Sequence, residues 1–377
     1  MESNFRNRLP VTKKENNLIF LNNKQHLDFS SNDYLGLSTD TRVKKALAEG
    51  AWRYGLGSGG SALVSGYHLT HKALEENFAE FMNQPKALLF NSGYQANLGI
   101  FNILSGKNSL IVSDKLCHAS ILAGIKLSHA KHSRFNNNDA AQAENILKRQ
   151  IYDDALLVTE GVFSMEGKIT PLPALTVLAS QYKAKLIVDE AHSIGILGEN
   201  GRGVCEHYNF PSQNITCTIA PLGKAFGSMG AVVLGNEDII EALVQCAASY
   251  RYTTALPPAL SFATLESLKI LQKESWRRSE LWSLISFFNK EAQARNLPLL
   301  CDDITPIKCF LVGDNLRALR FQKALLNQGF LVACIRPPTV PERTARLRIS
   351  LNCFHREKDI LHLLDILSEL YELPEIA

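Results

Sequence analysis

The sequence predicts an α/β protein: a domain built on a mainly parallel central sheet, followed by a smaller α+β domain. Three observations carry this prediction. Short runs that are apolar throughout recur before residue 260: ALLFN (87–91), SLIVSD (109–114), ALLVTE (155–160), KLIVDE (185–190), ITCTIA (215–220) and AVVLG (231–235). Such runs suit strands buried on both faces. Stretches of helical spacing separate them, the order that a parallel sheet with crossover helices requires. After about residue 260 the pattern changes to long helical stretches and a shorter strand–helix mixture.

The elements follow in order. Residues 1–35 read as an arm, polar to about Asn23 and then strand-like in HLDFSS. Helical spacing covers 41–54 and 70–82; in the second stretch Leu74, Phe78 and Phe81 share a face, and Thr70 stands where a cap belongs. The six apolar runs and their intervening helices complete a large domain, 36–265. The remainder, 266–377, holds the end of a helix over 257–273, a second helix over 275–295, the runs PIKCFLVG, FLVACIRPP and ARLRISL, and helices near 315–328 and 356–371. No repeat or low-complexity tract interrupts the chain.

Composition narrows the function. A formal net charge of +3 on 377 residues gives no electrostatic case for nucleic acid or an anionic membrane. No apolar run reaches the roughly 18–20 residues of a membrane span, and the start, MESNFRNRLPVTKKENN, has no apolar core of a signal peptide. A cytoplasmic protein is expected. The eight cysteines are scattered, without a CxxC pair, and read as buried free thiols with no metal role.

Three motifs are decoys. GLGSGG (55–60) fits GxGxxG but follows a helix, whereas a dinucleotide site must follow a strand. DEAH (189–192) lacks the GxxxxGK[ST] loop that an NTPase needs. The pairs His68/His71 and His129/His132 have metal-like spacing but no third ligand.

What survives is a constellation at predicted strand ends, where ligands bind in open α/β sheets. NSGYQAN (91–97) opens a helix after ALLFN, and free N–H groups there suit a phosphate. His118 follows SLIVSD, Ser164 follows ALLVTE, Asp189 and His192 end KLIVDEAH, and Lys224 follows ITCTIA. A phosphate cradle, an imidazole, a buried carboxylate and an amine form the set that pyridoxal phosphate takes: an anion site, a partner for the ring nitrogen, a flat group against the ring and a Schiff-base lysine.

At this point the sequence resembles the α-oxoamine synthases, fold-type-I pyridoxal-phosphate enzymes. The resemblance rests on DFSSNDYLGLS (28–38), GSGGSALVSGYHLTHKALE (57–75), NSGYQANLGI (91–100), CHASI (117–121), TEGVFSMEG (159–167), VDEAHSIGILGENGRG (188–203), GKAFGSMGA (223–231), YTTALPPA (252–259), VGDNLRAL (312–319), IRPPTVP (335–341) and ARLRISL (345–351). It implies pyridoxal 5'-phosphate held by Lys224, with Asp189 on the ring nitrogen, His192 and Ser164 on the phenolic oxygen and His118 stacked on the ring. Ser92, Gly93 and Tyr94 would face the phosphate. Thr253 and Thr254 would reach it across a homodimer with shared sites. Asn32 and Arg348 would meet an amino-acid carboxylate, which a guanidinium fork suits, and Ser61, Arg6 and Thr339 the acyl substrate.

The implied reaction is a decarboxylating condensation of L-alanine with a pimeloyl thioester on coenzyme A or an acyl carrier protein. Relatives use glycine with shorter or longer acyl groups. Here Ala62, Leu63 and Val64 make the acyl-facing loop apolar, which suits a methylene chain. One departure stands out. Pro221 occupies a position where many members carry a hydroxyl residue that contacts the phosphate, and proline offers neither hydroxyl nor N–H. It is the one feature favouring a non-catalytic member of the fold.

Overall fold

The structure, a computed structural model, describes residue 6 and residues 8–149 and 151–373. The chain divides into two compact units. The larger comprises 41–163 and 169–274. The smaller joins the segment up to Asp40 to 164–168 and to the chain from Ser275 onward. These differ from the expected divisions after residues 35 and 265. A break at 265 would cut a continuous helix, and the N-terminal segment adds strands to the smaller unit rather than standing alone.

The smaller unit begins with β1 (Val11–Glu15), β2 (Leu18–Leu21) and β3 (Lys24–Asp28), paired antiparallel in sequence. The hairpin is hard to read from sequence because VTKKE is an exposed, charged edge strand. Its turn passes through Asn16, a residue type that tolerates the left-handed conformation found there, at φ 49.

The larger unit carries α1 (Thr41–Tyr54), α2 (Leu69–Phe81), β4 (Lys86–Phe90), α3 (Gly93–Leu104), β5 (Ser109–Asp114), α4 (Ala119–Leu127), β6 (Lys131–Phe135), α5 (Ala140–Arg149), β7 (Asp154–Glu160), α6 (Leu172–Gln181), β8 (Lys185–Asp189), α7 (Val204–His207), β9 (Cys217–Pro221), β10 (Ala231–Gly235), α8 (Glu237–Cys246), α9 (Ala248–Arg251) and α10 (Pro258–Lys273). Seven strands form one sheet in the order β4-β10-β9-β8-β7-β5-β6. Only β10 runs against its neighbours; the other pairings are parallel. Successive strand residues point to opposite faces, so Ile111, Val158 and Ile187 join one buried layer with α3, α4 and α8. Leu110, Val112, Leu157 and Val188 join the other with α5 and α6. Each such side chain contributes about 1.5–3 kcal/mol on burial. The edge strand β6, KHSRF, has no apolar run and escapes the sequence pattern.

One expectation changes in detail. His68, not Thr70, precedes α2; Thr70 lies inside the helix and is buried. His71 is structural: Nδ1 accepts from His68 N at 3.0 Å and Nε2 lies 2.7 Å from Leu256 O. That spends both ring nitrogens and removes the His68/His71 pair as a metal site. GLGSGG is a turn after α1, with Gly55 and Gly59 at positive φ.

The smaller unit continues with α11 (Trp276–Ala294), β11 (Ile307–Gly313), α12 (Asn315–Asn327), β12 (Phe330–Leu331), β13 (Ala333–Ile335), β14 (Ala345–Ser350) and α13 (Glu357–Glu372). FLVACIRPP divides into β12 and β13 because they join different sheets: β12 lies parallel to β3, and β13 lies beside β14 in the order β11-β14-β13. Phe29 stacks on His355 with ring centroids 3.9 Å apart, and Ser350 N donates to Phe29 O at 2.7 Å. The N-terminal segment is thus built into this unit's core. Lys308, on β11, is fully buried. Among the described residues, no helix is long and apolar enough to cross a membrane.

Candidate active site

In the larger unit the parallel strands β4, β9, β8, β7 and β5 end along one edge of the sheet. Each end delivers polar residues. Ser92, Gly93 and Tyr94 follow β4. His118 follows β5, Glu160 ends β7, Asp189 ends β8 with His192 close behind, and Lys224 follows β9.

Lys224 sits in the loop between antiparallel β9 and β10. Leu222 N donates to Gly230 O at 2.9 Å and closes the loop at its base; Gly227 N donates to Lys224 O at 2.9 Å. Gly230 and Gly227 have φ 105 and 61, conformations that glycine adopts without a Cβ clash. The Lys224 amine lies 2.8 Å from His192 Nε2.

Asp189 is buried, and a carboxylate there needs donors. Its Oδ1 accepts from Ala191 N at 3.0 Å and its Oδ2 from Asn97 Nδ2 at 3.1 Å. His118 caps α4: its Nδ1 accepts from Ser120 N at 3.2 Å and lies 2.8 Å from Ser120 Oγ. The residue presents exposed surface, yet neighbouring protein partly desolvates the ring and holds its pKa below the usual histidine value; Asp189 opposes that fall and Lys224 adds to it. The main-chain N–H of His118 donates to the Glu160 carboxyl. Burial, reinforced by Asp189, pushes Glu160 well above the ordinary carboxylate range, while Lys224 pulls the other way.

Ser92 caps α3, with Oγ accepting from Gln95 N at 3.2 Å. Gly93 faces Pro221 so closely that a Cβ there would lie 3.0 Å from Pro221 Cγ. Pro221 therefore shapes the start of α3. Tyr94 is half exposed. Ser61 and Thr254 form a β-bridge, Asn91 Nδ2 donates to Thr254 O at 2.7 Å, and Gln95 Nε2 lies 3.5 Å from Thr253 Oγ1. Within one chain, Thr253 and Thr254 thus pack beside the helix start that follows β4.

The smaller unit gathers a second set. Arg348, buried on β14, donates through Nε to Ser164 O at 2.7 Å, through Nη1 to Ser350 Oγ at 3.0 Å and through Nη2 to Asn32 Oδ1 at 3.1 Å. Arg6 Nη2 donates to Thr339 Oγ1 at 2.8 Å and to Arg336 O at 3.3 Å. Asn32, Ser164 and Arg348 therefore meet, as do Arg6 and Thr339.

Sequence reasoning assigned no role to Asn97, Ser120 or Glu160. Glu160 carried a legible signal: like Asp189 it is an acid ending an apolar run, and the two are paired across β7 and β8. The larger unit presents an amine, an imidazole beside it, a donor-supported buried carboxylate, a second imidazole and a helix start where a Cβ would crowd Pro221. This donor set fits pyridoxal phosphate.

Residues 24–367 match the family model described as aminotransferase class I and II. The chain is 45% identical to the 8-amino-7-oxononanoate synthase of Pseudomonas syringae pv. tomato, over 93% of this chain and 88% of that one. It is 45% identical to that of Pseudomonas putida (strain GB-1), over 95% and 92%. Among solved structures, 8-amino-7-oxononanoate synthase from Francisella tularensis is 38% identical with a TM-score of 0.82, covering 92% of this chain and 98% of that one. A serine palmitoyltransferase from S. paucimobilis, with PLP bound, is 29% identical with a TM-score of 0.92, covering 96% and 92%. With such identity across nearly its whole length, the chain belongs to the class I and II aminotransferase family and, within it, to the 8-amino-7-oxononanoate synthases.

Proposed function

We propose that this protein is a cytoplasmic, homodimeric, pyridoxal-phosphate-dependent acyltransferase of biotin biosynthesis. It condenses L-alanine with a pimeloyl thioester, on coenzyme A or an acyl carrier protein, to give 8-amino-7-oxononanoate, CO2 and the free thiol. The observation that carries this reading is the Lys224 amine 2.8 Å from His192, on the sheet edge that also bears buried Asp189.

When bound, pyridoxal phosphate supplies the electron-accepting ring that stabilises charge at the substrate Cα. Lys224 would anchor it, and its amine would take the Cα proton and return one. His192 holds the amine by a hydrogen bond and, with Ser164, serves the phenolic oxygen. Asp189, kept in place by two donors, keeps the ring nitrogen protonated. His118, whose pKa partial desolvation lowers, would stack on the ring, and its neutral form would add no charge to oppose that proton. Ser92, Gly93 and Tyr94 serve the phosphate, and Thr253 and Thr254 serve that of the second copy. Arg348 and Asn32 receive the alanine carboxylate. Ser61, Arg6 and Thr339 serve the acyl group, and the apolar side chains Ala62, Leu63 and Val64 suit its methylene chain. The exposed apolar side chains Trp52, Leu56, Val64 and Leu69 give a second copy surface to cover.

The test is direct. The purified protein is expected to be yellow, and borohydride should fix the cofactor to Lys224. A panel of amino acids and thioesters, followed by thiol release, should rank alanine with pimeloyl thioester first. If glycine with acetyl-CoA ranks first, the substrate assignment fails. If Lys224→Ala matches the native spectrum, the whole reading fails.

A further inference from the structure

The larger unit contains a side chain that touches one of these groups and, through Ser120, reaches a second. Asn97, on α3, is buried, and its amide carries two hydrogens. Nδ2 donates to Asp189 Oδ2 at 3.1 Å and to Ser120 Oγ at 3.0 Å. Both hydrogens are spent. The amide oxygen is also buried and has no partner among the described residues. A reversed amide would set that oxygen against the Asp189 carboxylate, so Asp189 itself decides the orientation.

The second hydrogen has a consequence one residue further on. Ser120 Oγ accepts from Asn97, which leaves its own hydrogen for His118 Nδ1 at 2.8 Å. Ser120 N, a donor that cannot reverse, also points at Nδ1 at 3.2 Å. A ring nitrogen that accepts two hydrogen bonds carries no proton. His118 is thereby the neutral tautomer with its proton on Nε2.

The approach of α4 to α3 that permits this depends on Gly124. A Cβ there would fall 2.3 Å from Asn97 O and 2.8 Å from Phe101 Cδ2. Glycine lets the two helices close until Ser120 reaches the amide.

We propose that Asn97 is a positioning residue that, through a single amide, orients the Asp189 carboxylate and, by way of Ser120 Oγ, reinforces the His118 tautomer that Ser120 N favours. One side chain thus coordinates the group beneath the cofactor's nitrogen with the group against its face. The roles of Asp189 and His118 rest on the function proposed above; the hydrogen-bond linkage does not.

The experiment compares wild type with Asn97→Leu, Asn97→Asp and Ser120→Ala. Nitrogen-15 shifts of selectively labelled histidine in the apo protein report the His118 tautomer without any cofactor. Wild type should show one bare and one protonated nitrogen. Ser120→Ala and Asn97→Leu remove or free only the hydroxyl donor, Ser120 N remaining, and should move both signals partway toward the averaged values of exchanging tautomers. Pyridoxal phosphate titrated into the apo protein should bind Asn97→Leu roughly tenfold or more weakly, the loss of a hydrogen bond to a charged group. Asn97→Asp, which sets a carboxylate against Asp189, should bind weaker still. Thermal unfolding should show a modest loss for Asn97→Leu, because buried Asp189 loses a donor while the unpartnered amide oxygen is also removed. A merely structural asparagine would lose stability and binding together and leave the His118 shifts unmoved. If a variant fails to fold, Ser120→Ala tests the His118 arm alone. Unchanged His118 shifts and cofactor affinity in the folded variants overturn the proposal. A wild-type protein that binds no pyridoxal phosphate yet shows the single tautomer overturns the function and leaves the linkage standing.

Discussion

Replacing Lys308 by methionine should strengthen this protein at neutral pH. Lys308 lies on β11 with no exposed surface, and its amine donates to Asp303 O at 2.6 Å. Burial pulls its pKa from 10.5 down to about 8, against the opposing pull of nearby Cys301 and Asp303. That fall corresponds to about 3 kcal/mol held against the folded state wherever the amine is charged in both states. Methionine removes this cost and fills similar volume, but takes away one donor to Asp303 O, which keeps Thr305 N at 2.7 Å, a loss of about 1–2 kcal/mol. The net gain is about 1–2 kcal/mol at pH 7. The sign with pH is opposite to that of a paired lysine. Between about pH 8 and 10.5 the unfolded chain keeps its proton while the folded one has lost it, so wild-type stability climbs through that window relative to the variant. Above it the methionine advantage is gone and the missing hydrogen bond remains. Urea unfolding of both proteins from pH 7 to 10.5 should therefore give curves that cross. A difference that stays flat across the window would refute the reasoning, as would a methionine variant weaker at pH 7.

Three further outcomes follow from the geometry. Glu190 is buried, and burial raises its pKa from 4.5 to about 7, so the folded protein holds a proton that the unfolded chain releases; stability should fall as pH rises through that interval. Glu190→Gln, which can still accept from Val204 N and meet Ser193 Oγ, should flatten that slope in denaturant titrations by about 3 kcal/mol across the interval. Gly124→Ala gains about 1 kcal/mol of helix propensity and loses about 1–3 kcal/mol to overpacking against Asn97; calorimetry should show a lower melting temperature together with weaker cofactor binding, and an unchanged melt would contradict the contact. Pro221→Thr restores an N–H and a hydroxyl at the end of β9 beside Gly93, and should tighten pyridoxal phosphate binding about fivefold in apo-protein titrations; equal affinity would show that this position does not limit the site.

The fully apolar strands were legible because both faces of the central sheet are covered, which leaves no polar alternation to obscure them. The edge strands were not. VTKKE and KHSRF carry the charges that keep edges from pairing with other chains, and the same charges hide them from a hydrophobic pattern. The site was legible where a polar residue ends an apolar run, as with Asp189. It was not legible for Asn97 and Ser120, which lie within helices and act only because α3 and α4 pack closely. Lys308 inverts the usual rule: a lysine in a strand pattern reads as an outward face, whereas the structure buries it.

The clamp at the base of the 222–230 loop bears on kinetics. Leu222 and Gly230 are tied together by strands in register, so the backbone beneath Lys224 is fixed and the amine explores space only by rotating its own side chain. In the proposed role of nucleophile, Lys224 on so short a leash would stay beside its target, at an effective concentration that no dissolved amine can match. Amines added from solution should compete poorly for that position, and the reach of the reaction is set by the length of one side chain.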